Sequence, residues 1–86
     1  MEIKIRGLEL WEALEEISYC LEECQIKGIQ EISIIHGYRK GQVLKNYIQS
    51  RGFLKEMKRE GFQLKILMIY YLYLIFKFKV KYYDLI

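Results

Sequence analysis

Residues 31–41 read EISIIHGYRKG, and this stretch decides the fold. Residues 31–35 predict a strand rich in isoleucine, with Ile32 and Ile34 on one side and Glu31 and Ser33 on the other. His36-Gly37-Tyr38-Arg39-Lys40-Gly41 follows as a loop, marked by its two glycines. Residues 42–50 then take helical spacing, with Val43, Leu44, Tyr47 and Ile48 as the apolar members. A strand that runs through a short loop into a helix belongs to an α/β protein. The loop also lies at the start of a helix, where free backbone N–H groups and the helix dipole favour anions.

Upstream, residues 2–6 (EIKIR) alternate polar and apolar, the period of a half-buried strand with Ile3 and Ile5 facing the core. Residues 9–27 carry Leu10, Ala13, Leu14, Ile17, Cys20, Leu21 and Cys24 along one helical stripe. Glu12, Glu15, Glu16, Glu22 and Glu23 lie toward the other side, and Gly28 is a C-terminal stop. Trp11 and Tyr19 are expected in or beside the core. Downstream, Gly52 interrupts the helical pattern, and Phe53, Leu54 and Met57 predict a further short helix to about residue 60, closed by Gly61. Strand, helix, strand, loop and helix form a βαβ unit that continues into a second helix, with a right-handed crossover if the strands are parallel neighbours.

The end of the chain differs in character. Residues 66–76 (ILMIYYLYLIF) are an uninterrupted apolar and aromatic run. A membrane-spanning helix needs roughly 20 such residues, so a simple span is excluded. Residues 76–82 (FKFKVKY) alternate strictly, placing Lys77, Lys79 and Lys81 on one face of a strand. Two sheet strands are the reading adopted. No Gly, Asn, Asp or Pro between residues 66 and 83 marks a hairpin turn, so a single long strand, a helix followed by a strand and an interfacial anchor stay open. Left unpaired, the run is an aggregation hazard. The chain therefore divides into a βαβα core over residues 1–62 and an apolar segment over 63–86 that completes the sheet.

A chain of 86 residues makes one domain and buries only roughly 60% of its unfolded surface. With 52% hydrophobic and 29% charged residues, disorder is excluded. The net charge is +3 and unevenly spread. Residues 1–36 hold three Lys/Arg against eight Glu, and residues 37–86 hold eleven Lys/Arg against three acids. A basic half beside an acidic half points to an oriented surface whose basic side suits phosphate. Cys20 and Cys24 lie four apart on a helix, a poor geometry for a disulfide, and two thiols are too few for a metal site. They read as small apolar core residues. Reduced thiols without a signal peptide imply the cytoplasm.

These residues together resemble a known family. Residues 32–37 (ISIIHG) followed by Gly41 resemble the Smr (small MutS-related) pattern, an apolar strand ending in IHG within HGxGxG. Residues 3–8 (IKIRGL) sit where that family has LDLHG and an apolar residue, and Glu12-Ala13-Leu14 resembles its EAL. Leu44 and the positions after it resemble its second helix. The resemblance covers about residues 3–60. It implies a two-layer βαβαββ sandwich, with helices on one face of a four-stranded mixed sheet. It also implies binding of DNA or RNA, and in several members endonuclease activity. Two motifs depart from the pattern. Lys4 stands at the family's Asp and Arg6 at its His, while Arg39 stands at the middle Gly of HGxGxG. Metal-assisted hydrolysis needs carboxylates to hold the ion, and metal-free cleavage needs an acid and a base. Arg6 cannot serve as a base. No cofactor is implied, and a divalent metal has no support in the residues.

The expected site is nucleic-acid-binding and comprises Lys4, Arg6, His36, Gly37, Tyr38, Arg39, Lys40 and Gly41. The glycines permit close backbone approach, Arg39 and Lys40 supply charge-assisted contacts, and Tyr38 can stack on a base. Lys4 and Arg6 share one face of the first strand, and Arg6 converges with His36 if the two strand ends are neighbours. The alternative makes these ordinary solvated charges, with Lys4 and Arg6 guarding a sheet edge. Lys55, Lys58 and Arg59 extend a phosphate track or simply face solvent. The leading expectation is a module that binds DNA or RNA by structure rather than by base sequence. A weak endonuclease using His36 as its catalytic acid or base is the alternative, and a protein- or membrane-interaction module comes third. The oligomeric state is not readable.

Overall fold

The computed structural model describes residues 1–37 and 41–80. Along the chain come β1 (Glu2–Lys4), α1 (Leu10–Lys27), β2 (Glu31–Ile35), α2 (Gly41–Ile48), α3 (Arg51–Arg59), β3 (Gln63–Ile69) and β4 (Tyr73–Lys79). The strands form one sheet in the order β1-β2-β4-β3. β1 runs parallel to β2, with Ile3 beside Ile34, while β4 is antiparallel to both β2 and β3. This is the mixed four-stranded sheet of the expected α/β sandwich.

Alternate residues of each strand decide the layers. Ile3, Ile32, Ile34, Leu74, Phe76 and Phe78 join one buried cluster with Ala13, Ile17 and Leu21 of α1, Leu44 and Ile48 of α2, and Phe53 and Met57 of α3. Every strand contributes one parity only, so the three helices lie on a single face of the sheet. Cys20 and Cys24 are buried free thiols in this core. Burial and a 3.5 Å hydrogen bond to Glu16 push the Cys20 thiol up to about 11, so it stays protonated and inert.

Helix ends follow local chemistry. At the start of α1, the Glu9 N–H donates to the Glu12 carboxylate at 3.0 Å. At its end, Gly28 takes the left-handed conformation with φ 71°, and the Ile29 N–H reaches the Cys24 carbonyl at 3.0 Å. The break between the second and third helices comes at Ser50, not at Gly52, which lies inside α3. The Ser50 hydroxyl accepts from the Phe53 N–H at 3.2 Å and caps α3. Ser50→Ala should cost about 1 kcal/mol, read as a lower urea midpoint with an unchanged slope.

Several expectations are corrected. Trp11 and Tyr19 are 64% and 68% exposed, because both project from the outer side of α1. Val43 is exposed as well, leaving Leu44 and Ile48 as the buried members of α2. β1 ends at Lys4 rather than residue 6, although the Ile5 N–H still donates to the Ile35 carbonyl and Ile5 is fully buried. The apolar run does form two strands. Tyr71 and Leu72 make the turn, closed by the Tyr70 N–H donating to the Tyr73 carbonyl at 2.8 Å. The rings of Tyr70 and Tyr73 stack with centroids 4.7 Å apart, and an irregularity between Ile66 and Met68 shifts the register of β3. Lys81 lies outside the described residues.

Candidate nucleic-acid interface

The parallel pairing of β1 and β2 brings their C-terminal ends side by side. Arg6 follows β1 and His36 follows β2, so two separated sequence motifs meet at one end of the sheet. The turn between β3 and β4 reaches the same end. The Leu72 carbonyl there accepts from the N–H groups of His36 at 3.0 Å and Gly37 at 3.2 Å. The loop therefore leaves β2 on a fixed backbone anchor supplied by a segment far away in sequence.

Gly37 has φ 78°, a conformation that side chains resist. The Arg6 side chain lies directly against it: a Cβ at Gly37 would meet the Arg6 Cγ at 2.6 Å and Cδ at 2.9 Å. The stem of Arg6 is thus seated on the glycine while the residue as a whole remains exposed. Arg6 belongs to the helix-free parity of β1, as does exposed Lys4, which pairs with Ile35. So Arg6 meets Gly37 rather than the imidazole.

His36 follows the opposite parity, that of Ile32 and Ile34, and is buried. Its Nδ1 lies 3.0 Å from the Gly37 carbonyl. A carbonyl only accepts, so Nδ1 carries the proton and Nε2 keeps the lone pair. Nε2 is buried, and among the described residues it has no hydrogen-bond partner. Burial holds the imidazole below its ordinary pKa of 6.5; the Gly37 carbonyl opposes this, and the Lys45 charge on α2 adds to it. The ring is therefore neutral near pH 7. The unfolded chain takes a proton near 6.5, but the folded chain takes it only at lower pH. Stability present above 6.5 is thus lost as pH falls through the folded value. Urea unfolding between about pH 7 and about pH 5 should show this decline, and His36→Asn should flatten it.

Of the expected site residues, Lys4, Arg6, His36 and Gly37 are gathered at or beside this end of the sheet, and Gly41 is the first residue of α2. Tyr38, Arg39 and Lys40 lie outside the described residues. Lys55 and Lys58 are exposed on α3, and Arg59 pairs with Glu56 at 2.9 Å. Among the described residues, no group of three His, Cys, Asp or Glu is placed to hold a metal ion. No helix among them is long and apolar enough to cross a membrane. Sequence reasoning missed the Leu72 carbonyl, since a backbone acceptor carries no residue signature.

The sequence is similar to known proteins over most of its length. The family model of the Smr domain matches residues 3–63. A protein named endonuclease MutS2 from Acetivibrio thermocellus is 43% identical over 58 residues, 67% of this chain and 7% of the relative. Endonuclease MutS2 from Finegoldia magna is 30% identical over 64 residues, 71% of this chain and 8% of the relative. The chain thus spans less than a tenth of the length of these curated relatives. No solved structure matches it.

Proposed function

Because the chain belongs to the Smr domain family, we propose that it binds DNA or RNA through backbone phosphates at the end of the sheet where Arg6 lies against Gly37. The observation that carries this reading is the Arg6 stem seated on Gly37. It seats the stem of a permanent cation beside a backbone that a glycine keeps free of any side chain, a combination that suits a phosphate. The neighbouring Tyr38, Arg39 and Lys40 belong to the same proposed contact surface.

Binding is favoured over cleavage on three grounds. Lys4 and Arg6 occupy the positions of the family's acid and imidazole. Arg6 does not deprotonate in proteins. The one histidine keeps its basic nitrogen buried rather than presented to a phosphate. The second reading, a weak endonuclease, rests on that same nitrogen: His36 is neutral with a free lone pair, the state required of a general base. It requires the imidazole to become exposed when substrate is bound.

One titration separates the readings. A branched DNA and a structured RNA are each mixed with wild type, Arg6→Glu and His36→Ala. Arg6→Glu should weaken binding and reduce the slope of affinity against salt by roughly one phosphate contact. Affinity independent of salt and of Arg6 would sink the binding proposal. Cleavage that disappears with His36→Ala would instead establish the endonuclease.

A further inference from the structure

The strand residues that do not enter the core make up a second surface. Since all three helices lie on one face of the sheet, the other parity of every strand points away from them. Among the described residues no helix packs on that side. Across the strands the register sets out its rows. Lys4, Ile35 and Tyr73 stand in the first, Glu2, Ser33, Ile75 and Met68 in the second, Glu31, Lys77 and Lys65 in the third, and Lys79 beside Gln63 in the fourth. Tyr70, stacked on Tyr73, sits at the end near Gly37. At the opposite end of the sheet a groove of about 750 Å³ reaches round to the helix side: Lys65, Lys77 and Lys79 line it together with Leu64, Phe78 and, on α3, Lys55.

We propose that this helix-free face carries a single-stranded segment of nucleic acid, with a base stacked on the Tyr70–Tyr73 pair and its phosphates running over Lys65, Lys77 and Lys79 toward the groove. The inference rests on the proposal that the chain binds nucleic acid, and it names the form bound. Two features favour this occupant. The face pairs Lys4, Lys65, Lys77 and Lys79 with only two acids, Glu2 and Glu31, so its charge complements a polyanion. A second copy of this chain would bring the same cations against themselves. The stacked tyrosines stand at one end of the lysine path, and an aromatic platform accepts a base only when that base is free of its own duplex. β4 is about 20 Å long at its strand rise, enough to span several nucleotides. The tyrosine end of this path adjoins Gly37, so a strand leaving a branch point held at Arg6 would continue onto the face.

The experiment uses two probes, a fluorescent oligothymidylate and a branched duplex without single-stranded arms. Wild type is compared with Lys77→Glu/Lys79→Glu and with Tyr70→Ala. All three altered side chains are exposed, and a thermal melt verifies that each variant folds. Oligothymidylate binding should fall about tenfold or more in both variants, while binding of the branched duplex changes far less. Wild type that binds the oligothymidylate equally well with and without these side chains overturns the inference and leaves the Arg6 site standing. Wild type that binds neither probe overturns both proposals. Loss of self-association in the variants, seen by sedimentation, together with unchanged oligothymidylate affinity, would make the face an interface between copies and also overturn it.

Discussion

Phe76→Ala should remove about 3–5 kcal/mol of stability, the range for deleting a buried phenyl ring. Phe76 lies in β4, is fully buried, and pairs with Ile32 on one side and Ile66 on the other. Its ring meets that of Phe53 edge-on, with centroids 6.0 Å apart, so it also ties α3 to the sheet. A domain of this size has about 4–13 kcal/mol in total. The substitution should remove a large share of that and pull the urea midpoint down sharply. Phe76→Leu, which keeps most of the volume, should recover most of the lost midpoint. A variant as stable as wild type would mean that the cavity collapses and that the contact with Phe53 contributes little.

Gly37→Ala should separate backbone strain from site geometry. At φ 78° an L-residue pays about 1–2 kcal/mol. The new methyl would also lie 2.6 Å from the Arg6 Cγ and 3.1 Å from its Cβ, too near the root of the side chain for a simple rotation of its tip. Arg6 must leave its seat. Gly28→Ala is the matched control, because Gly28 has φ 71° and open space where the methyl would go. Both variants should lose similar stability, but only Gly37→Ala should lose nucleic-acid affinity and flatten its salt dependence. Equal binding by the two variants would mean that the position of Arg6 against Gly37 has no part in the interface.

Much of this was legible in the residues. β2 falls at residues 31–35 as its isoleucine pattern predicts, and α1 shows its stripe and its Gly28 stop. The fold class followed from that βαβ order. Trp11 and Tyr19 were misread because their bulk suggested burial, whereas they sit about 100° and 200° around the helix from Leu10 and Ile17. The hairpin at residues 70–73 could not be located, since it uses none of the usual turn residues and is closed by a tyrosine stack. The end of the sheet was partly legible. Lys4, Arg6 and the glycines stood out by type and spacing, but their meeting required β1 and β2 to be parallel neighbours. The lysine rows were illegible for a similar reason: the register of β3 against β4 shifts between Ile66 and Met68.

The strand order has a kinetic consequence. β4 is the last described strand along the chain, yet it occupies an interior place between β2 and β3. Its partner β2 lies about forty positions earlier, so loop closure must precede the reward of pairing. The parallel β1-β2 unit with α1 can assemble early, but it has no partner for the free edge of β2 and lacks Phe76 and Phe78 beneath its helices. Folding should therefore be limited by the insertion of one late strand, and a nascent chain should remain open to chaperones and proteases until β4 has been made.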